Sequence, residues 1–182
     1  MPNTNYSQII GPEEYNSIIN EHLYITNVDN CIKNNIEEKS INSQKTLEVV
    51  ELGCGPARLS QILAKIEKIN LTCIDIDTNF LAYAQKIAPQ QNFVMASAQE
   101  YVHNKPVDIF VSQGMHHHIP KGEQTQKYLK NVIQQLDSDG IYIIGDEFLP
   151  DYRNERERQI NAIVWYSHII GNALNKGYEY LL

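Results

Sequence analysis

Leu47 to Ser60 reads LEVVELGCGPARLS, and few folds accommodate it. Leu47, Val49 and Val50 form an apolar, partly β-branched run suited to a strand buried in a sheet. Gly53 and Gly55 follow at once, with Pro56 behind them, and then Leu59, Ile62, Leu63 and Ile66 recur at helical spacing. The order is strand, glycine turn, helix. Glycines let the backbone turn sharply, and their missing Cβ atoms let a ligand lie against the main chain. The start of a helix adds free N–H groups and the positive end of a dipole. Asp75 closes a second strand, Leu71 to Asp75, about twenty residues further on. At that distance nucleotide-binding α/β folds place a carboxylate on the ribose hydroxyls.

Glu51 to Ser60 (E-L-G-C-G-P-A-R-L-S) resembles motif I of the class I S-adenosylmethionine-dependent methyltransferases, an acid followed by G-x-G-x-G, with Ala57 at the third glycine position. Ile74-Asp75-Ile76-Asp77 resembles the acidic strand end that grips the ribose in that family. A nicotinamide dinucleotide fingerprint, G-x-G-x-x-G, would need glycine where Arg58 stands, which disfavours an oxidoreductase.

The remaining pattern alternates strands and helices. Pro12-Glu13-Glu14 starts a helix whose apolar face holds Tyr15, Ile18, Ile19, His22 and Leu23, and a second helix is expected from about Val28 to Glu38. Thr78 to Ala88 is a helix ended by Pro89, and Asn92 to Met95 a short third strand. Val107 to Ser112 is the fourth strand. Thr125 to Leu136 is a helix with Tyr128, Leu129, Val132, Ile133 and Leu136 inward; Asp137 to Gly140 makes a turn, and Ile141 to Gly145 is the fifth strand. Asp151 to Leu174 is a long helix with a salt-bridged start and an apolar second half, Ile160, Ile163, Val164, Ile169 and Ile170. The expected fold is α/β, an open, doubly wound, mostly parallel sheet with helices on both faces. Residues 1–45 read as an N-terminal helical cover, to which Tyr6, Tyr15 and Tyr24 can contribute, and 46–182 as the α/β domain, one compact body overall. The family fold closes with two further strands, for which no residues remain here, so the expectation is either a fragment of a longer protein or a fifth strand at an exposed edge, paired in a dimer or covered by the last helix.

The resemblance covers roughly residues 45 to 150 and implies S-adenosylmethionine as cofactor and S-adenosylhomocysteine as product. Carried over by position, Gly53, Cys54 and Gly55 pass along the methionine part, and Glu51 orients the turn or the amino group. Asp75 holds the ribose, Ile76 packs on the adenine, and Ser97, Ala98 and Gln99 meet its edge. Ser97 stands where the family usually has an acid, and capping the following turn is its competing role. Gln113 is placed near the methyl group.

Gln113 opens the loop Gly114-Met115-His116-His117-His118. The family often reads V-x-S-x-x-x-L-H-H-L here, and His117 and His118 match its histidines. Either can serve as a general base, or the three can simply pack and cap the next helix. Neighbouring side chains diverge, so a metal site is disfavoured and none is assigned. Asp146 and Glu147, at the end of the fifth strand, can bind a substrate, steer a nucleophile or remain solvated.

Charge and composition narrow the partners. A net charge of −7 argues against a nucleic-acid surface. No N/D-P-P-Y/F sequence follows the fourth strand, where Ser112-Gln113-Gly114-Met115 stands, which favours a small molecule as methyl acceptor. No apolar run approaches the ~20 residues of a membrane span. Cys31, Cys54 and Cys73 make no CxxC pair or disulfide framework, so a cytoplasmic setting is the expectation. The expected function is in-line methyl transfer to an O or N atom of a small molecule; the alternative is a non-catalytic binder of S-adenosylmethionine or S-adenosylhomocysteine or a scaffold on the same fold, or a truncated methyltransferase domain.

Overall fold

A computed structural model of the chain describes residues 6–20, 23–146 and 151–175. His22 and Glu147 lie outside the described residues, as do the side chains of Tyr6, Leu23, Tyr24 and Ile169. By internal contacts the chain divides after Asp146, into Met1–Asp146 and Glu147–Leu182.

In the first unit α1 (Pro12–Asn20) and α2 (Leu23–Asn42) precede β1 (Leu47–Leu52). Then follow α3 (Arg58–Leu63), β2 (Ile69–Asp75), α4 (Thr78–Ile87), β3 (Asn92–Met95), β4 (Val107–Gln113), α5 (Glu123–Gln135) and β5 (Leu136–Gly145). The five strands are all parallel and lie in the order β3-β2-β1-β4-β5. The chain therefore winds outward from β1 in one direction and then, from β4, in the other. The crevice between the carboxyl ends of β1 and β4 is where such a sheet binds its ligand.

Both faces of β1 are buried, which is why it reads as an almost continuous apolar run. Val49 shares one face with Ile109 and Val111 of β4, under Ile32 and Ile36 of α2 and Leu59 and Leu63 of α3. Cys73 and Leu71 of β2 meet Leu81 of α4. Val50 and Leu52 face the other way, with Ile74 and Phe110, under Tyr128 and Val132 of α5. A Cβ on Gly145 would come 2.7 Å from Val28 Cγ1 and 3.0 Å from Ile32 Cδ1, so α2 rides directly on the end of β5.

Three local expectations are corrected. The helix after the glycine turn ends at Leu63, so the buried Ile66 lies outside it. The chain must come back to pair Ile69 beside Leu47, and Lys68 takes a φ of 57° to do so. Ile133 is 63% exposed, because α5 buries the stripe through Tyr128 and Val132 and Ile133 sits one residue round from it. The fifth strand begins at Leu136, and the acidic turn stands inside it as an irregularity: Val107 pairs Leu136, yet Ile109 pairs Ile141. Lys45 closes that excursion by bridging Asp108 at 2.9 Å and Asp137 at 2.7 Å. These groups line a hollow of about 460 Å3 at the amino ends of the strands, away from the glycine turn.

The second unit contains α6 (Glu155–Asn175); Arg153, just ahead of it, pairs with Glu157 at 3.2 Å, and Arg158 pairs with Glu155 at 2.5 Å within its first turns. No helix among the described residues is long and apolar enough to cross a membrane.

Candidate functional site

The glycine turn is tied to the end of β2. The Ile74 carbonyl accepts the N–H groups of Gly53 (2.8 Å) and Cys54 (2.9 Å). Asp75 follows. Its Oδ2 accepts the Gly55 N–H at 2.7 Å and its Oδ1 the Asp77 N–H at 2.8 Å. The carboxylate thus holds the turn open from one side and retains lone pairs for a ligand. Burial raises the Asp75 carboxyl above the ordinary range, and the N–H groups of Asp77 and Gly55 oppose that rise.

Gly53 and Gly55 have φ values of 73° and 52°, a region in which side chains are strained. Ala57 has φ 65° and is fully buried, so it adopts with a Cβ the conformation that a glycine at that motif position takes without cost. Pro56 and Ala57 lead into a helix of only six residues, too short for much of a dipole.

A Cβ on Gly53 would lie 2.3 Å from Met115 Cγ and 2.8 Å from its Cβ. Those atoms sit close to the main chain and cannot swing away like a side-chain tip. Gly53→Ala is expected to cost at least about 2 kcal/mol, from left-handed strain plus overpacking. Met115→Ala removes the Cγ but leaves the Cβ at 2.8 Å, so combining it with Gly53→Ala relieves part of the overlap and should be less damaging than the sum of the two single changes. Additive denaturation free energies would show that the contact is slack.

Glu51 is 2% exposed and faces away from the turn's open side. Ser60 Oγ donates to its Oε2 at 2.5 Å, so the acid fastens α3 to β1 beneath the turn. Burial pushes its carboxyl up to about 7, despite the Ser60 hydrogen bond and the charge of Arg58. The Cys54 and Cys73 thiols are also buried and raised, which makes them inert packing groups.

Ile76, beside Asp75, is 52% exposed and presents an apolar surface at the sheet's carboxyl end. After β3, Ser97 Oγ accepts the Gln99 N–H at 3.3 Å, and the Ser97 carbonyl accepts the N–H groups of Glu100 and Tyr101. Ala98 stands within that turn, packed against the α5 side of the core. The turn is further held by Asn131, which donates to the Gln99 carbonyl at 3.2 Å.

Across the crevice, Gln113 Oε1 accepts from the Arg58 guanidinium at 2.5 Å. The same guanidinium forks onto Asp29 of α2, Nη2 to Oδ1 at 2.8 Å and Nη1 to Oδ2. One arginine at the start of α3 so joins α2, the glycine turn and the end of β4. The sequence reading missed Asp29 and this role of Arg58. The available signal was an acid next to the apolar stripe Val28, Ile32 and Ile36.

The N-terminal segment reaches the same end of the sheet. Ser7 donates through N and Oγ to Asp77, at 3.1 and 2.7 Å, and Asp77 caps α4 by accepting from Asn79 and Phe80. Tyr15 lies 5.4 Å from the Phe80 ring, centroid to centroid.

His116 to His118 form one 3-10 turn. The His116 ring lies 5.9 Å from that of Tyr128. His117 is joined to Asp146, and His118 lies against His117 with ring centroids 4.0 Å apart. Glu51, Gly53, Cys54, Gly55, Asp75, Ile76 and the Ser97–Gln99 turn therefore gather on the β1 and β2 side of the crevice, and Gln113, His117 and His118 on the β4 side. The contact of Met115 with Gly53 joins the two sides.

A family model described as a methyltransferase domain matches residues 50–144, just over half of the 182 residues. No curated protein matches the chain. Among solved structures, the N-methyltransferase NodS from Bradyrhizobium japonicum, in complex with S-adenosylhomocysteine, superposes with a TM-score of 0.62 at 13% identity, over 78% of this chain and 72% of that one. A protein of Methanococcus maripaludis assigned to the S-adenosylmethionine-dependent methyltransferases gives 0.59 at 19% identity, over 93% and 76%. A sugar N-methyltransferase from Streptoalloteichus gives 0.58 at 10% identity, over 67% and 48%. The chain spans about half the length of that protein and of DesVI from Streptomyces venezuelae. At such identities the likeness is one of fold.

Proposed function

Because the chain belongs to the class I S-adenosylmethionine-dependent methyltransferase family, we propose that it binds S-adenosylmethionine at the glycine turn and transfers its methyl group to an oxygen or nitrogen of a small molecule. The observation that carries the reading is the Asp75 carboxylate held against the turn by the Gly55 N–H at 2.7 Å. The residues fit the ligand: two glycines in the left-handed region, an acid at the end of β2, and the exposed apolar side chain of Ile76 next to it.

When bound, the cofactor supplies an activated sulfonium methyl group and leaves as S-adenosylhomocysteine. The protein's part is to bind, align and exclude water, and alignment alone can lower the barrier by ~7–11 kcal/mol. Asp75 accepts the ribose hydroxyls on lone pairs beyond those used by Gly55 and Asp77. Ile76 packs on the adenine, and the turn at Ser97, Ala98 and Gln99 meets its edge. Gly53, Cys54 and Gly55 carry the methionine part along the backbone. Glu51 works from below by fixing α3. Gln113, held in place by Arg58, borders the region of the methyl group. A small-molecule acceptor is supported by solved neighbours described as sugar and N-methyltransferases, and a reducing cytoplasm suits three free cysteines.

Calorimetric titration with S-adenosylmethionine, S-adenosylhomocysteine and NAD tests this directly. Micromolar binding of the two sulfur ligands and silence from NAD are expected. In Asp75→Ala the affinity should fall about 10²-fold, since two hydrogen bonds to a charged group contribute roughly 1.5 kcal/mol each. Unchanged affinity would remove the ribose role. A folded protein that binds neither sulfur ligand would end the methyltransferase reading.

A further inference from the structure

Residues 96–106 carry the chain from β3, at one edge of the sheet, past β2 and β1 to β4. They do so as a turn and an irregular segment, with Ala96, Ala98 and Tyr101 packed into the cluster that holds Tyr128 and Val132 of α5. Backbone N–H and C=O groups there need partners as much as those of a strand do. Two side chains of α5 supply them. Asn131 and Gln135 stand one helical turn apart and so lie on one face.

Asn131 Nδ2 donates to the carbonyls of Gln99 at 3.2 Å and Tyr101 at 3.0 Å. Gln135 Nε2 donates to the same Tyr101 carbonyl at 3.0 Å and to Asn131 Oδ1 at 3.2 Å. Its Oε1 accepts the His103 N–H at 2.7 Å. Alternate residues of the segment thus meet α5, while Val102 between them is 70% exposed. Each amide has acceptors on its nitrogen side and a donor on its oxygen side, so only one orientation satisfies both. The far end of the segment is fixed as well. The His103 side chain is 8% exposed, with Nδ1 2.8 Å from the Tyr101 hydroxyl and Nε2 3.5 Å from Glu48 Oε2 of β1.

The near end is the turn Ser97–Gln99. Its entrance is fixed to the strand that carries Asp75, because the Ala96 N–H donates to the Asp75 carbonyl at 3.0 Å. Its exit is the Gln99 carbonyl on Asn131. The turn is therefore held from β2 on one side and from α5 on the other. Given the S-adenosylmethionine site proposed above, on which this rests, we propose that Asn131, backed by Gln135, is a positioning residue for the cofactor's base and makes the site selective for adenine over hypoxanthine. Adenine presents an acceptor at N1 and an amine donor at C6. Hypoxanthine presents the reverse, an N1–H and a carbonyl. A serine hydroxyl donates or accepts by rotating, so Ser97 by itself cannot tell the two apart. The distinction falls to the main chain, whose donors and acceptors are fixed in kind and discriminate only while the turn is fixed in place. A turn held at both ends leaves polar groups unpaired against the wrong base. A turn released from α5 can shift or admit water and meet either base.

The test is calorimetric titration of folded wild type, Asn131→Ala, Asn131→Asp and Gln135→Glu with S-adenosylhomocysteine and with S-inosylhomocysteine. Wild type should prefer the adenosine ligand by about 10²-fold, the effect of two mispaired groups. In Asn131→Ala the preference should shrink to less than about 10-fold, chiefly through weaker binding of S-adenosylhomocysteine. Asn131→Asp keeps the shape but offers no donor, and should behave like Asn131→Ala. Gln135→Glu still accepts from His103 and gives up the bonds of its amide nitrogen, so its preference should fall between; it carries the test if the Asn131 variants do not fold. A merely structural loss would weaken both ligands alike and leave their ratio unchanged. A wild-type ratio retained in the folded variants, or a wild type that binds the two ligands equally, would overturn the clamp. A wild type that binds neither would overturn the S-adenosylmethionine reading itself, and the clamp with it.

Discussion

Asp29→Ala is expected to destabilise the first unit by about 3–5 kcal/mol, the usual cost of removing one partner from a buried ion pair. The side chains of Asp29 and Arg58 are 3% and 14% exposed, so little water can take over. Arg58 also begins α3, and its charge is compensated by the fork onto Asp29 and by Gln113. Among the described residues, the guanidinium without Asp29 keeps the neutral amide oxygen of Gln113 as its hydrogen-bond acceptor. The loss comes from a stranded charge, so removing both charges should undo most of it. Asp29→Leu combined with Arg58→Met is expected to return close to wild-type stability or above it. Urea denaturation of the two proteins decides the matter through midpoint and slope. A single variant within 1 kcal/mol of wild type would mean that water reaches the pair and that α2 is fastened by its apolar face alone. Gln113 offers a second readout, because its amide borders the proposed methyl site and loses its fixed position when Arg58 is disturbed.

That pair also marks the limit of what the sequence discloses. Local signals carried the fold well: the apolar run from Leu47, the glycines after it and the strand ending at Asp75 are periodic or adjacent features, and the parallel sheet in the order β3-β2-β1-β4-β5 follows from them. The glycine turn and Asp75 were legible for the same reason. Asp29 and Arg58 stand 29 positions apart, and His117 and Asp146 likewise, so their pairing depends on how α2 crosses the sheet and how β4 and β5 end side by side. No spacing rule contains that. The histidine triplet illustrates the difference. As a string it set His117 and His118 apart only by a motif, but the fold gives the three rings separate environments: Tyr128 for His116, a buried carboxylate for His117, and a neighbouring imidazole for His118. Ile133 failed in the opposite direction. It met the helical pattern, but α5 presents to the sheet a stripe narrower than its apolar content.

Glu51→Gln is expected to flatten the pH dependence of stability and to stabilise the protein at neutral and alkaline pH. The Glu51 carboxyl titrates near 7 when folded, against an ordinary value of 4.5. The folded state therefore holds a proton that the unfolded chain has already released, and stability falls as pH rises from about 4.5 to about 7. Above that window both states are ionised and the penalty is fully present; below it both are protonated and the penalty is gone. At 1.36 kcal/mol per pKa unit the difference approaches about 3 kcal/mol. Glutamine carries no charge to desolvate, yet keeps a carbonyl to accept from Ser60 Oγ, so α3 remains fastened to β1. Every other titrating group is common to the two proteins. The difference between their denaturation free energies at pH 5 and at pH 8 thus isolates Glu51. A gain for the variant of about 1 kcal/mol at pH 5, growing to about 3 kcal/mol at pH 8, is the expected pair of results. A constant difference across the range would place the Glu51 charge in contact with water and assign the acid to the open side of the glycine turn, where it would face a ligand and not the helix beneath.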